Sequence, residues 1–585
     1  MKKIYLSFAL CVAVFVSGCE DYYDTKNDPV VYGETYFNSD LHTDKACYKP
    51  GETVHFSLKE IPAGNVKVRY SHLGQTIKEE NLSSASWSWT APTDDYRGYM
   101  IDIYEETGGK EKIYQSIAVD VSSDWKKFPR YGFLSSYGNL PGTIIGNNIN
   151  NLNRYHINGI QFYDWMSDHQ RPLAGTADKP ASSWPDLIGR TNYLSTVKGY
   201  IDAAHSKGMK AMFYNLAYGA LNTAAADGVK EEWYLFKDAN HSVKDKHTLD
   251  PPFRSSIYLT DPGNAAWQNY LKGRNNDVYA VFGFDGLHID QLGNRGTVYN
   301  YNGEAVNPGE AFMPFIASMK QANPDKRLVM NAVGQYGQQQ SIAKSDVDFL
   351  YTEVWDESKT FDQLASVITD NDSYSNHSKP TVLAAYMNYA KSNSTGFVNL
   401  PGILLANAVI FSFGGAHLEL GEHYLANEYF PNANLQMKRD AKRDLMHYYD
   451  FLVAYQNLLR DGGSFSAIRV EPADGKLSFQ DWPSSQGKVA VLGKTFAVRD
   501  VVHLINFTDA TSMEWRDTNG TQKEPVQVTD VRVKIAASKT VTKVWLASPD
   551  INGGVAQRLD FKQSGTEISL TIPSLKYWDM VVLEY

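Results

Sequence analysis

A multidomain fold, with a central (β/α)8 TIM barrel between an N-terminal immunoglobulin-like sandwich and a C-terminal antiparallel β-sandwich, is predicted by three features of the sequence. Residues 40–122 and 461–585 are short alternating strands broken by turn signals, without helical periodicity. Residues 123–460 alternate short apolar runs with helical stretches, as βαβ units do. There are eight such apolar runs, the number that closes a barrel. The 585 residues also exceed the ~250 to 300 at which a single core stops growing.

The chain opens with Lys2 and Lys3 and an apolar run over 4–16, a leader too short to span a membrane. Its end, VSGC over 16–19, resembles a bacterial lipoprotein signal. That resemblance implies cleavage after residue 18, lipidation of Cys19 and anchoring at the bacterial outer membrane. The acidic EDYYD over 20–24 resembles the export tag of surface lipoproteins in Bacteroides-type bacteria, which implies the cell surface. Residues 19–39 are polar and suit a tether. Membrane contact is thus expected through the N-terminal lipid alone.

Composition narrows the partners. A net charge of −10 argues against nucleic acid, whose phosphates demand a basic surface. Of the 3 cysteines, Cys11 leaves with the leader and Cys19 carries lipid, so Cys47 has no partner for a disulfide or a metal site. The 14 histidines form no metal-ligand spacing, and no phosphate loop, dinucleotide fingerprint or nucleophile elbow is present, so neither metal nor cofactor is expected. Aromatic residues make up 13%, including 37 Tyr and 12 Trp, faces suited to stacking on sugar rings.

Taken in order, the first sandwich is expected to place a turn and an alternating strand over 46–58, then strands at 65–70, 85–90, 99–104 and 114–121. Barrel strands are expected at 131–136, 159–163, 210–215, 284–290, 327–331, 349–353, 381–386 and 409–412. Helices are expected over 192–206, 267–271, 311–322 and 435–459, and the long third crossover, 218–279, is expected to help wall the site. The last sandwich should hold strands at 489–492, 501–506, 531–535, 543–547, 568–572 and 580–585.

In such barrels the C-terminal strand ends carry the chemistry. They would present Asp164 and Trp165 after the second strand, Tyr214 and Asn215 at the third, and Asp290 at the fourth, with His288 on its face and Gln291 following. Asn331 ends the fifth and Glu353 the sixth, with Trp355 beyond; Asn388 follows the seventh, and His417, Glu419 and Glu422 the eighth. Asp285 reads as a turn or hydrogen-bonding carboxylate, and Asp348, Asp356 and Glu357 as solvated structural acids. Asp290 and Glu353 are the two acids at strand ends near enough to flank one bond, the equipment of a glycosidase. A surface protein that captures glycans without cutting them is the rival reading.

Four blocks then resemble glycoside hydrolase family 66: NGIQFYDW over 158–165, FDGLHIDQLG over 284–293, YTEVW over 351–355 and GGAHLELGE over 414–422, the last followed by NEYFP over 427–431. The family holds endo-dextranases and cycloisomaltooligosaccharide glucanotransferases acting on α-1,6-glucan. The resemblance implies Asp290 as nucleophile and Glu353 as acid/base of a retaining double displacement, with dextran and isomaltooligosaccharides as partners. Cyclising members carry an inserted carbohydrate-binding module near the eighth strand. The short connection here between the seventh and eighth strands leaves no room for one, so linear products are expected.

Overall fold

The computed structural model describes residues 41–585; the leader, Cys19 and the tether lie outside the described residues. At its centre stands an 8-stranded parallel sheet whose neighbours follow chain order. The strands are β1 (Tyr131–Leu134), β2 (Gly159–Phe162), β3 (Lys210–Leu216), β4 (Gly286–Asp290), β5 (Arg327–Val333), β6 (Leu350–Glu353), β7 (Thr381–Ala384) and β8 (Ala416–His417). The sheet is curled until β8 nearly meets β1, where Phe133 N–H donates to the Leu420 carbonyl at 3.1 Å. Gly421 permits that approach, because a Cβ there would lie 2.5 Å from the Phe133 carbonyl oxygen. Gly286 does the same between β4 and β5, where a Cβ would lie 2.1 Å from the Arg327 carbonyl oxygen.

Side chains alternate along every strand. Tyr131, Phe133, Met212, Val329, Tyr351, Val382 and Ala384 fill the barrel interior. Their neighbours Ile160, Phe162, Phe213, Leu287, Ile289, Leu328 and Met330 join the larger core that also takes in the helices. The helices are α1 (Gly142–Arg154), α2 (Leu194–Ser206), α3 (Ala265–Val281), α4 (Pro308–Ala322), α5 (Phe361–Tyr374), α6 (Leu400–Ser412) and α7 (Arg439–Ala454); the fifth crossover has a 3₁₀ turn, Ile342–Lys344. Asn264 caps α3, its side chain accepting from Ala266 and Trp267 N–H.

One expected strand is a helix. Residues 409–412 are the last turn of α6, and β8 is the two-residue Ala416–His417. Every residue from Gly402 to Ser412 in α6 is buried, so its sequence is apolar apart from Asn407 and Ser412, and such a run shows no period by which helix and strand differ. The expected helix over 435–459 is likewise divided: Leu435–Gln436 pairs with Gly396–Phe397, and α7 starts at Arg439.

Before the barrel, a 3-stranded and a 4-stranded sheet enclose Val54, Phe56, Tyr70, Trp89, Ile101 and Val119. Strand Gln75–Asn81, unanticipated in the sequence, is almost wholly exposed and so lacks an apolar face to betray it. After the barrel, a 7-stranded and a 4-stranded sheet share a core of Val491, Val502, Leu504, Val533, Ile572 and Val581. The buried Asp450 of α7 ties the first unit to the barrel, accepting from Ala118 N–H at 2.9 Å and from Arg154 at 2.9 Å.

Candidate active site

Two-residue periodicity points the last inward residues of six strands, or the positions just beyond them, into one layer: Tyr163, Tyr214, Asp290, Asn331, Glu353 and Tyr386. Asp290 Oδ2 accepts from the Tyr214 hydroxyl at 2.7 Å. The Asn331 side-chain nitrogen donates to Asp290 Oδ1 at 2.8 Å and to Glu353 Oε2 at 3.1 Å. The other carboxyl oxygen of Glu353, Oε1, accepts from the Tyr386 hydroxyl at 2.8 Å, and its backbone N–H donates to Asn331 Oδ1 at 3.2 Å. The two N–H bonds of a planar amide diverge by about 120°, which holds those Asp290 and Glu353 oxygens about 5 Å apart.

The pair does not ionise symmetrically. Burial, then the charge of Asp290, pushes Glu353 up to about 7 against the donors Tyr386 and Asn331. Burial raises Asp290 as well, opposed by donors from Tyr214, Asn331 and the Gln291 backbone. The charge of Asp290 thus favours the protonated form of Glu353. Asp164, in a left-handed conformation at φ 48°, is pushed up to about 7, first by burial and then by Asp186, with Arg190 opposing and Asp290 adding.

The sequence matches the model of glycosyl hydrolase family 66 over residues 43–582. This chain belongs to that family. A cycloisomaltooligosaccharide glucanotransferase of Niallia circulans is 27% identical to it over 93% of this chain and 71% of its own length. A dextranase of Streptococcus salivarius is 24% identical over 87% of this chain and 70% of its own. The crystal structure of a Paenibacillus sp. cycloisomaltooligosaccharide glucanotransferase complexed with cycloisomaltoheptaose superposes with a TM-score of 0.83 at 26% identity, covering 93% of this chain and 99% of the other. The family 66 chain is thus a glycoside hydrolase on a TIM-like barrel.

Around the carboxylates the family 66 site is walled by aromatic rings. Tyr163 stacks on Phe430 with centroids 4.2 Å apart and planes 11° from parallel. Trp355 lies 5.7 Å from Tyr386 and 6.0 Å from Tyr389, and the Tyr389 hydroxyl donates to Glu428 at 2.8 Å. A cavity of about 200 Å³ opens beside Glu353 and Trp355, between Gln335, Glu357 and Gln363. A larger one, about 630 Å³, lies between the first β-sheets and α1 and includes none of these residues. Among the described residues no group of three or more His, Cys, Asp or Glu is arranged to hold a metal ion.

Of the residues singled out at strand ends, Asp164, Tyr214, Asn331 and Trp355 gather with Asp290 and Glu353 at the mouth, and several do not. Trp165 is fully buried among Phe213, Phe282, Phe284 and Trp184, which removes it from the rings able to stack on a sugar. Asn215 sits at the opposite parity to Tyr214 and points outward, bonded to His169. His288 is inward but one layer lower, stacked on Tyr131 and Tyr214, and burial lowers it to about 3. Gln291 is buried and spans the Asn331 and Tyr336 carbonyls at 3.3 and 3.4 Å.

The residues after β7 and β8 are likewise engaged by protein. Asn388 is fully buried and bonds to Asp517 of the C-terminal unit and to the Asn399 backbone. His417 bonds to Asn407 and the Ala385 carbonyl, and Glu419 to Asn407, Tyr424 and Tyr449, and both are fully buried. Glu422 accepts from the Ser135 N–H and hydroxyl at 2.6 and 2.8 Å, fastening the loop after β8 to the end of β1. Asp285 fits the reading as a hydrogen-bonding carboxylate, held by His205, Lys210 and Ala211 N–H. Asp348 instead is half-buried and held by Trp125 and Arg327 rather than solvated. Tyr163 and Tyr386 are legible by strand parity, although neither carries a charge that would single it out.

Proposed function

We propose that this glycoside hydrolase is an endo-acting, retaining dextranase that cuts internal α-1,6-glucosidic bonds to linear isomaltooligosaccharides. The observation that carries the mechanism is the Asn331 amide between Asp290 and Glu353. A carboxylate spacing of about 5 to 5.5 Å suits direct attack, whereas inversion needs ~6.5 Å or more to seat a water. Asp290 attacks the anomeric carbon, Glu353 gives its proton to the departing glycosidic oxygen, and the bond between that carbon and oxygen breaks. A water then loses a proton to the Glu353 carboxylate and displaces Asp290, so one water is consumed and configuration is kept. Asp290→Asn and Glu353→Gln should each lose orders of magnitude in kcat on dextran, and the first product formed should retain the α-configuration by NMR. Inverted product sinks the mechanism.

Dextran is the substrate favoured by the similarity to a dextranase and to glucanotransferases, together with the aromatic walls of a neutral-substrate cleft. Linear products are supported by length: the match to the glucanotransferase runs over 714 positions, more than this chain's 585 residues, so that relative has inserted sequence lacking here. Ring formation requires a covalent intermediate that waits for the far end of its own chain while water is excluded. Mass spectrometry of an exhaustive dextran digest decides it, since rings are one water lighter. Clear binding to dextran without new reducing ends would leave the capture-only reading. The flanking sandwiches, the first of them immunoglobulin-like, are read as supports. The Cys19 lipid anchor at the cell surface is tested by Cys19→Ala and cell fractionation; unchanged membrane association overturns it.

A further inference from the structure

The C-terminal domain reaches over the barrel mouth. Trp515 N–H donates to the Lys359 carbonyl at 3.2 Å, Phe361 N–H to Met513 at 3.1 Å, and Asn388 N–H to the Arg516 carbonyl at 2.9 Å. Arg516 follows, 8% exposed. Its Nη2 donates at 2.9 Å to the carbonyl of Val354, the residue directly after the acid. The guanidinium lies 5.3 Å from the Trp355 ring centroid, 5.2 Å from Tyr389 and 4.8 Å from Trp515. A buried cation is costly, and this one bonds to a backbone carbonyl rather than a carboxylate, so its contribution is to hold rings and a strand end in place.

Trp355 and Tyr389 stand on the Glu353 side of the site, linked through Tyr386, which touches both Glu353 and Trp355. The acid protonates the departing oxygen, so the sugar beyond that oxygen lies on this side, while Tyr163, Tyr214 and Asp164 surround the Asp290 side. We propose that Arg516 is a positioning residue of the leaving-group side, fixing Trp355 and Tyr389 as the walls on which the departing segment of an α-1,6-glucan lies. The same walls receive the acceptor sugar when transfer replaces hydrolysis. This inference rests on Glu353 being the acid of a retaining glucanase. Lysine does not replace the residue, because it offers no planar face to stack.

The test compares two leaving groups in Arg516→Lys, Arg516→Gln and Tyr389→Ala. On isomaltooligosaccharides each variant should lose on the order of tenfold or more in kcat/KM. On an α-isomaltosyl fluoride, whose leaving group is one fluoride ion with nothing to bind, the loss should stay within about threefold. Retained fluoride hydrolysis also certifies a folded site. Equal losses on both substrates, or wild-type rates on both, overturn the proposal. Wild-type enzyme that cleaves no dextran overturns the parent reading and this one together, whereas wild-type cleavage with unaffected variants overturns this one alone.

Discussion

Asp290 and Glu353 are joined by a single side chain, the Asn331 amide, which donates to both at 2.8 and 3.1 Å. One nitrogen therefore sets their spacing and at the same time competes with burial over their protonation. Removing it in Asn331→Ala should lower kcat on isomaltooligosaccharides by about 100-fold, since a hydrogen bond to a charged group contributes ~1.5 to 3 kcal/mol and the one to the ionised Asp290 is lost. Asn331→Asp should be worse, because it faces two carboxylates with a third. Melting temperatures near wild type for both variants would place the loss in the chemistry. Rates within a few-fold of wild type for Asn331→Asp would contradict the bridging role.

The proposed mechanism requires Glu353 protonated and Asp290 ionised. With Glu353 pushed up to about 7, kcat/KM should fall on the alkaline side near that pH. The Tyr386 hydroxyl favours ionised Glu353. Its removal in Tyr386→Phe raises the acid's pKa further, so the protonated form persists to higher pH and the alkaline limb moves up, by up to about one unit. A limb that stays put or moves down refutes the assignment.

Two tryptophans read alike in sequence should respond in opposite ways. Trp165→Ala empties a fully buried position and should cost about 3 to 5 kcal/mol of stability, with KM of the surviving folded enzyme little changed. Trp355→Ala should lower kcat/KM about tenfold with a much smaller change in melting temperature. Chemical denaturation and steady-state kinetics on the two proteins separate them, and a raised KM in Trp165→Ala would restore it to the cleft.

A further prediction concerns stability far from the site. Asp579 pairs with Leu504 in the C-terminal sheet and is fully buried. Burial, with the charge of Asp550 adding and Ser548 opposing, holds its pKa well above the usual range. The folded state thus binds a proton that the unfolded chain releases near pH 4, so this stabilising term is full below that pH and declines as pH rises, by about 1.4 kcal/mol per unit. Asp579→Asn removes the dependence. Its melting temperature should exceed wild type at pH 8, and the difference should shrink toward pH 4; a variant less stable at pH 8 than at pH 4, relative to wild type, contradicts this.

The sequence by itself determined seven of the eight barrel strands and the inward set that ends them, because a strand's two-residue period and its burial leave a pattern that needs no partner to be seen. Asp290, Glu353, Asn331 and Tyr214 were legible for that reason. Only the tertiary structure decided the rest. It made 409–412 a helix, since a segment buried on all sides has no period to read. It turned Asn388, His417, Glu419 and Glu422 to protein partners, since the paths of the connections after β7 and β8 are set by what packs against them. And it brought Arg516 to the carbonyl beside the acid, a contact across 162 positions that depends on two domains docking and so has no trace in any local stretch of the chain.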